Sequence, residues 1–395
     1  MTLGMVFLIL AALALAGFFL GRGRALAVAG GDARRLHSLP SYFGWQAVLF
    51  LALPALGLTA LAAFGGVLRH PATGWVALGL GVIGMGAALW NTGTEVRARN
   101  IVETCVKGLL ILSSFIAIAT TLGIVLSMLF ETGQFFRQYQ WTDFFFGTVW
   151  QPNFRGGSDL GILPLLWGTL YISVIALLVA VPIGLFAAIY MSEYAGPKFR
   201  SFAKPAIEML AGIPTIVYGL FALITVGPML RDYFAQPLGL GTSASSVMTA
   251  GLVMGVMIIP FVSSLSDDII NAVPQSLRDG SLGLGATQSE TIRLVVLPAA
   301  LPGIVGAVLL AASRAVGETM IVVLGAGAAA KLSLNPFEAM TTMTVKIVSQ
   351  LTGDTDFAAP ETLVAFALGL TLFVFTLGLN VLALYIVRKY REQYE

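Results

Sequence analysis

The sequence predicts an all-α, polytopic membrane helical bundle with about nine transmembrane helices. Hydrophobic residues make up 57% of the 395 residues, and charged residues make up only 11%. Globular soluble domains usually carry about 25% charged residues. A soluble chain with so few charges could not cover its own surface, whereas lipid tolerates exposed apolar side chains. The composition therefore favours a protein that is embedded in a membrane.

Individual apolar runs support this fold class. A helix needs roughly 20 residues to cross a hydrocarbon core of about 30 Å, and about nine runs approach or exceed that length. The predicted spans are 2–20, 44–66, 73–91, 106–130, 162–191, 206–229, 246–266, 300–325 and 362–388. Because their number is odd, the two termini are expected on opposite sides of the membrane.

The distribution of basic residues predicts the orientation. Arg22, Arg24 and Arg34 follow the first apolar run, whereas a secretory signal has its basic residues before that run. The first run is therefore expected to remain as a helix. Most Lys and Arg residues fall in alternate loops on one side, which the positive-inside rule assigns to the cytoplasm. We therefore expect the N-terminus outside the cell membrane, and the C-terminus and loop 274–298 in the cytoplasm.

A short charged segment at 92–104 divides the chain into two parts. Residues 1–103 contain three helices without an embedded charge and are interpreted as an N-terminal accessory transmembrane segment. Residues 104–395 are interpreted as the working core. Prolines within the core helices leave backbone carbonyls that must be satisfied inside the protein, which fits bent helices around a cavity. These prolines are Pro164, Pro182, Pro214, Pro228, Pro260 and Pro302.

Two long loops are expected on the outer side. The loop at 131–161 is rich in aromatic residues, among them Phe135, Phe144 and Trp150, and such residues suit the membrane–water boundary. This loop is interpreted as an interfacial anchor, with docking of an external partner as the alternative. Apolar residues in the loop at 328–361 are compatible with a helix that lies on the surface.

The loop at 274–298 has the local pattern of a helix–turn–helix. Two residue pairs have the spacing of a capping box: Ser276 with Asp279, and Thr287 with Glu290. Gly285 lies between the two predicted helices and allows a sharp turn. On local chemistry alone, an amphipathic connector without a partner remains an alternative.

The spacing within this loop resembles the EAA loop of ABC-transporter membrane subunits, which has the pattern E-A-A-x3-G-x9-I-x-L-P. All the gaps match, but the identities depart from the pattern: Asp replaces Glu, Gly-Ser replaces Ala-Ala, and Val replaces Ile. The resemblance implies a coupling helix that sits in a cleft of an ATPase subunit. The implied coupling residues are Asp279, Gly280, Ser281, Gly285, Leu297 and Pro298.

A second group of polar residues lies within an apolar run. An arginine in the middle of a membrane helix costs about 2.5–3.5 kcal/mol on insertion scales. Arg314 and Glu318 are four residues apart, so they are predicted to share a helix face and to pair. Because desolvation often exceeds the attraction within a buried pair, a functional role is favoured. The alternative is a pair that only ties this helix to a neighbour.

The segment around these two residues, SRAVGETM at 313–320, resembles membrane subunits of the phosphate-specific ABC importer. The resemblance is to permeases of the PstC type and covers about 104–395, with the ABC type-1 transmembrane region at about 163–388. The segment LHSLPSYFGW at 36–45 is similar to the N-terminal extension of longer proteobacterial members. The resemblance implies a pathway for inorganic phosphate. It would be lined by Ser313, Arg314, Glu318 and Thr319.

This resemblance also implies an inner (plasma) membrane location with a periplasmic N-terminus, and it implies the partners. They are a second homologous permease subunit, two ATP-binding cassette ATPase subunits and a periplasmic phosphate-binding protein. The chain itself is not expected to be an enzyme, because GAGAAAKL at 325–332 lacks the second glycine and the Ser or Thr of a phosphate-binding loop. ATP and Mg are therefore expected on the partner ATPases, and no cofactor is expected on this chain.

Composition limits other functions. One cysteine and two histidines make a transition-metal site improbable, and a net charge of +2 gives no reason to expect nucleic acid. Three alternatives stay open. The first is an ABC permease for another oxyanion such as molybdate or sulfate. The second is an ion-coupled secondary transporter, which would need embedded carboxylates such as Glu318 and Glu208. The third is a membrane sensor that transports nothing.

Overall fold

The computed structural model describes residues 3–65, 71–153, 157–353 and 359–391. Apart from one two-stranded hairpin, the regular structure of these residues is helical. The elements are α1 Leu3–Val28, α2 Pro40–Phe64, α3 Pro71–Trp90, α4 Ala98–Gln138, α5 Trp141–Phe146, β1 Trp150–Gln151, β2 Asp159–Leu160, α6 Leu163–Ile189, α7 Pro197–Ala211, α8 Thr215–Phe221, α9 Gly227–Leu230, α10 Val247–Asn271, α11 Gln275–Gly283, α12 Gln288–Thr291, α13 Leu297–Val316, α14 Met320–Gly325, α15 Met343–Gly353 and α16 Pro360–Arg391.

Nine helices in the described part of the chain are long and apolar enough to cross a membrane. They are Gly4–Val28, Pro40–Ala63, Ala72–Trp90, Ala98–Gln138, Leu163–Tyr194, Thr215–Ala235, Val247–Asn271, Gln288–Val316 and Pro360–Lys389. The prediction of an all-α membrane bundle is therefore confirmed. Seven of the nine predicted spans fall within or overlap closely with these helices, and two differ.

The sixth predicted span, 206–229, starts too early. Residues 197–211 form the separate helix α7, and the membrane span begins only at Thr215, after Pro214 at the N-cap of α8. No residue of α7 is fully buried. Arg200 and Lys204 of α7 contact Asp267 of α10. These charged contacts keep α7 separate from the apolar membrane span that follows it.

The eighth predicted span, 300–325, is displaced. The helical span runs from Gln288 to Val316, and Gly317 is its C-cap. The short helix α14 starts only at Met320. The sequence is apolar on both sides of this interruption, so hydropathy alone did not locate it. We refer to residues 317–319 as the helix break.

Four π-helical turns occur in the described residues: Tyr190–Tyr194, Ala222–Val226, Arg231–Ala235 and Ile292–Val296. In each case a proline follows two or three residues later. A proline ring clashes with the carbonyl four residues before it, and a wider turn moves that carbonyl away. The prolines therefore explain where the helices widen, as well as where they bend.

Contacts divide the chain into two compact units, Met1–Leu122 and Gly123–Glu395. The division falls inside α4, whereas the charged segment at 92–104 predicts a functional boundary after residue 103. In the first unit, α1, α2 and α3 pack around Val6, Leu51 and Leu78. A Cβ at Gly21 would lie 2.6 Å from the carbonyl oxygen of Phe43, so α1 and α2 approach closely at this point.

Helix α10 is the centre of the second unit. It packs along α6, where a Cβ at Gly251 would lie 2.6 Å from Cγ2 of Ile175. Its buried residues Met254 and Ile258 belong to a core that also includes Ile321 of α14. In lipid no hydrophobic driving force brings helices together, and small residues allow the close packing that stabilises their contact instead. Helix α10 is thus the frame that positions α6, α13 and α14.

The aromatic loop at 131–161 is only partly an interfacial anchor. Phe135 and Phe144 are fully buried and pack with Trp150 in a second core, while Trp141 and Phe146 remain exposed. The prediction was incomplete because aromatic side chains suit a protein core as well as a membrane boundary. In the other outer loop, a helix does form within 328–361, but Met343 and Val345 of this helix, α15, are buried in the two cores of the second unit. The expectation of a helix that only lies on the surface is therefore wrong.

Candidate functional site

Arg314 lies near the end of α13, and its side chain is exposed on the isolated chain. The guanidinium carbon is 5.7 Å from the ring centroid of Phe261. Phe261 is close to the middle of the 25-residue α10, so Arg314 is at mid-depth of the second unit. A cation over an aromatic face gains about 0.5–1 kcal/mol at an exposed site, which orients the side chain but does not neutralise it.

The predicted pair between Arg314 and Glu318 is wrong. No ion pair joins these two residues, and within the described ranges Arg314 forms none with any other carboxylate. The spacing argument required one continuous helix, but α13 ends at Val316 and Gly317 caps it. Glu318 therefore leaves the face that carries Arg314.

Glu318 has a different partner set. Its Oε1 accepts hydrogen bonds from the backbone N–H groups of Thr319 at 3.1 Å, Met320 at 3.0 Å and Ile321 at 3.4 Å. These donors are unpaired at the start of a helix, where the positive end of the helix dipole also favours a carboxylate. Glu318 thus stabilises the beginning of α14, where its negative charge interacts with backbone N–H groups and with the helix dipole.

The other two residues predicted to line the pathway lie beside the helix break. Ser313 and Thr319 are half-buried, and the hydroxyl of Thr319 is 3.5 Å from the carbonyl oxygen of Gly317. Thr344 of α15 donates to the carbonyl oxygen of Glu318 at 3.0 Å. Ser313, Glu318 and Thr319 therefore lie within five residues of Arg314 along the chain, but the expected ion pair is not formed.

The loop at 274–298 has the expected helix–turn–helix form. Thr287 and Glu290 make both bonds of a capping box, and Gly285 has a φ of 89°, which a side-chain-bearing residue rarely adopts. The hydroxyls of Ser281 and Thr291 are 2.9 Å apart and join the two arms. This part of the local prediction is confirmed.

The first predicted capping box is wrong. Helix α11 begins at Gln275 with Pro274 as its N-cap, and no side chain caps it. Ser276 therefore lies within the helix, and Asp279 instead accepts a hydrogen bond from Nε2 of Gln275 at 3.0 Å. A Ser or Thr followed three residues later by an acidic residue also occurs within helices. This spacing alone therefore did not locate the start of α11.

Helix α11 and the following turn expose apolar side chains. Leu284 is 92% exposed, and Leu277 and Leu282 are also exposed. Gly280 and Gly283 have no heavy atom near a built Cβ, so their surface is open. Apolar side chains clustered on a polar loop are typical of a surface that another protein covers.

Sequence reasoning did not identify Arg278 as important. Its guanidinium donates to Oε1 of Glu193 at 3.0 Å and to the carbonyl oxygens of Ile270 at 2.7 Å and Val273 at 2.8 Å. Both charged side chains are largely buried, with 13% and 11% exposed. Arg278 therefore fixes α11 to the ends of α6 and α10. An arginine in a polar loop is common, so the sequence carried no signal for this role.

Leu297 and Pro298 lie where the loop continues into α13. The N–H of Leu297 donates to the carbonyl oxygen of Ile292, five residues earlier, and closes the π-turn Ile292–Val296. Pro298 follows at once and prevents a regular α-turn there. Helix α12, this turn and α13 form one continuous span from the loop to Arg314.

A second charged cluster lies at the same end of the unit as the loop. Asp267 of α10 is fully buried and accepts from Nη2 of Arg200 at 2.9 Å and from Nζ of Lys204 at 2.8 Å. Nδ2 of Asn271 also donates to Asp267. The hydrogen bond to Asp267 raises the pKa of the Lys204 ammonium. The cluster ties α7 to α10.

No group of three or more His, Cys, Asp or Glu side chains in the described ranges is arranged to hold a metal ion. The polar side chains that flank Arg314 in the sequence are the hydroxyls of Ser313 and Thr319 and the carboxylate of Glu318, which is engaged at the start of α14. This set suits reversible contact with an oxyanion more than a fixed metal, since Arg donors match oxyanion oxygens.

Residues 180–392 match the family of binding-protein-dependent transport system inner membrane components. This match covers more than half of the chain. The chain belongs to this inner membrane component family. Residues 7–74 match a second family, described as a phosphate ATP-binding cassette transporter, and they lie in the first compact unit.

Several relatives support the family. The chain is 33% identical over 281 residues to a probable ABC transporter permease, YqgH of Bacillus subtilis, covering 71% of this chain and 86% of that protein. It is 36% identical over 278 residues to the phosphate transport system permease PstC 1 of Mycobacterium tuberculosis, covering 62% and 81%. It is 34% identical over 264 residues to PstC of Haemophilus influenzae, covering 63% and 82%.

A solved structure shows the same fold. A bacterial alginate ABC transporter, in complex with a periplasmic protein bound to an alginate pentasaccharide, contains a chain that superposes with a TM-score of 0.50. The two chains share 16% identity over 72% of this chain and 95% of the other. The inner membrane component fold is thus common to importers with unlike cargoes, and cargo must be argued from the site.

Proposed function

We propose that this chain is a permease subunit of an ABC importer for inorganic phosphate. The observation that carries the proposal is Arg314, a cation at mid-depth of the bundle without a carboxylate partner in the described residues. The names of the PstC relatives and the phosphate-transporter family match at 7–74 support phosphate as the cargo.

The chemistry of Arg314 suits this cargo. Moving an anion into a medium of low dielectric is strongly unfavourable unless an opposite charge is near. A guanidinium presents a rigid fork of N–H donors that matches the oxygens of a phosphate. Because the charge of Glu318 is engaged at the start of α14, an arriving anion has no internal carboxylate to displace from Arg314. Ser313 and Thr319 add hydroxyl donors beside it.

The loop at 274–298 is the proposed contact with the ATPase. Helix α11 is rigidly held by Arg278 and Glu193, while Leu284 projects into solvent. A cleft in an ATPase subunit that covered Leu284 would move α11 as a unit. The continuous span Gln288–Val316 would pass this motion to Arg314.

The proposed assembly contains four kinds of chain. This permease pairs with a second homologous permease. Two ATP-binding cassette ATPases bind ATP and Mg on the cytoplasmic side of the membrane. A periplasmic phosphate-binding protein delivers phosphate at the other side. In this arrangement the 274–298 loop and the C-terminus are cytoplasmic, the N-terminus is periplasmic, and the chain itself hydrolyses nothing.

Uptake of radiolabelled phosphate into vesicles that contain the reconstituted assembly tests this function. We expect accumulation only when the ATPase subunits and ATP are present, with weaker inhibition by excess molybdate or sulfate than by unlabelled phosphate. Uptake driven by an ion gradient without the ATPase would contradict an ABC importer. Preferential accumulation of molybdate or sulfate would contradict phosphate as the cargo.

A further inference from the structure

Lys346 in α15 is a half-buried cation without a counter-charge among the described residues. It lies at the outer end of the second unit, which we define as the end opposite the 274–298 loop. Two other cations at this end form ion pairs: Arg231 with Asp232 at 2.7 Å, and Lys331 with Glu338. Lys346 forms no ion pair with any described residue, and it is only half-exposed. A desolvated ammonium without a partner among the described residues is unfavourable, and a bound anion would compensate it.

The position of Lys346 places it next to the helix break. Thr344, two residues earlier, donates to the carbonyl oxygen of Glu318. The N–H of Met343 donates to Oγ1 of Thr169, in the second turn of α6, at 3.1 Å. A helix rises about 1.5 Å and turns about 100° per residue, so the Cα of Lys346 lies only about 3 Å further along α15 than that of Thr344, while its side chain leaves a different face of the helix. A solute that moves from the outer end towards Arg314 thus meets this part of α15 first.

The surroundings of Lys346 are rich in donors and poor in carboxylates. The hydroxyls of Thr342 and Thr344 are 2.9 Å apart, and the buried hydroxyl of Thr341 has no partner among the described groups. The helices packed against α15 are α6, α14 and α16. Of these, α6 and α14 carry no charged residue, although Glu318 directly precedes α14 and its carboxylate is engaged there. At this end α16 carries only Glu361. Its carboxylate accepts a hydrogen bond from Ser158.

We propose that Lys346 binds the oxyanion cargo at the outer end of the pathway, before the cargo reaches Arg314. The proposal rests on the proposed function, since it names a second cation for the same cargo. An ammonium on a flexible stem can follow the anion as it is released from outside. The fixed guanidinium of Arg314 then takes over at mid-depth. Two weak sites in series allow entry and release, which a single strong site would prevent.

Initial rates of phosphate uptake by the complete reconstituted assembly test this assignment. Because a hydrogen bond to a charged group contributes about tenfold in affinity, Lys346→Gln should raise the half-saturating phosphate concentration about tenfold and leave the maximal rate nearly unchanged. Lys346→Arg should restore most of the affinity. Lys331→Gln is the matched control, since Lys331 lies in the same outer loop but is already paired with Glu338, and it should behave as wild type.

The results separate failure of this inference from failure of the proposed function. If wild type shows no ATP-dependent phosphate uptake, the proposed function is wrong. If wild type transports phosphate and Lys346→Gln keeps the wild-type half-saturating concentration, the role of Lys346 is wrong. The role is also wrong if Lys346→Gln lowers the melting temperature or prevents co-purification with the second permease, since Lys346 would then be a structural or interface residue. An anion-binding role predicts unchanged assembly and unchanged or slightly higher thermal stability.

Discussion

At the scale of single residues, the division of labour between Arg314 and Glu318 is the main result. The interruption after Val316 separates two charges that a continuous helix would have paired. Glu318 stabilises the start of α14, and Arg314 keeps its charge available. An embedded arginine that a carboxylate already neutralised would attract an anion weakly, so the break itself contributes to the proposed pathway.

Variants of Glu318 distinguish capping from pairing. We expect Glu318→Gln to lose less than about 1 kcal/mol, because the amide oxygen still accepts from the α14 backbone and only the charge–dipole term is lost. Glu318→Ala should lose about 0.5–2 kcal/mol, as expected for removal of a cap. Thermal unfolding in detergent measures both. A loss of about 3–5 kcal/mol in Glu318→Gln would instead indicate a broken buried ion pair.

The pH dependence of uptake provides a second test at this scale. Burial lowers the pKa of the Lys346 ammonium below its usual value of about 10.4. The ammonium is therefore charged at lower pH and loses its proton as the pH rises through this lowered pKa. As the pH rises through this lowered pKa, the half-saturating phosphate concentration should rise in wild type, whereas Lys346→Gln should show no such rise. Parallel profiles for the two proteins would contradict the assignment.

At the scale of elements, the 274–298 loop combines a rigid attachment with an open apolar tip. Arg278 holds α11 against the ends of α6 and α10, and Leu284 faces solvent. The π-turn before Pro298 then sets the rotation of α13 and hence the direction in which Arg314 points. A coupling element needs these properties, because a flexible loop would absorb the motion that it should transmit.

Replacement of Leu284 tests the proposed ATPase contact. Leu284→Asp places a charge in the cleft that is proposed to cover this side chain, and a buried unpaired charge opposes association. We expect loss of ATPase co-purification and of uptake, with normal folding of the permease. Leu238→Asp, at an exposed leucine of the outer end, serves as the control and should retain both. Normal ATPase binding by Leu284→Asp would contradict the contact.

The sequence predicted the elements whose signals are local. Apolar length located most spans, and the Thr287–Glu290 box and Gly285 defined the turn of the loop. The break at 317–319 was not predicted, because apolar residues flank it on both sides and because it depends on α14 packing against α10. The separate helix α7 and the anchors Arg278 and Asp267 depend on contacts between distant segments. Hydropathy and spacing contain no information about such contacts.

At the scale of the whole molecule, the second unit holds two separate polar systems along one central helix. The cluster around Asp267 ties α7 to the loop end of α10, and Arg314 approaches the middle of the same helix through Phe261. Towards its outer end, α10 carries apolar core residues such as Met254 and Ile258. Helix α10 is therefore a rigid reference, against which α13 can move.

The stability of this frame depends on Asp267. Asp267→Asn removes the charge that Arg200 and Lys204 share, and the unfolding free energy should fall by about 1–3 kcal/mol, since both cations retain partial access to solvent. Asp268→Asn is the matched control, because the Asp268 side chain is 65% exposed and should have little effect. Equal melting temperatures for the two variants would show that the cluster does not stabilise the frame.

ATP-dependent phosphate uptake by Arg314→Gln tests the central claim most directly. The assembly should form normally and its ATPases should still hydrolyse ATP, yet radiolabelled phosphate should fail to accumulate. Arg314→Lys, which keeps the charge but not the fork of donors, should recover part of the transport. Wild-type uptake by Arg314→Gln would contradict the account, because the cargo would then cross this bundle without its embedded cation.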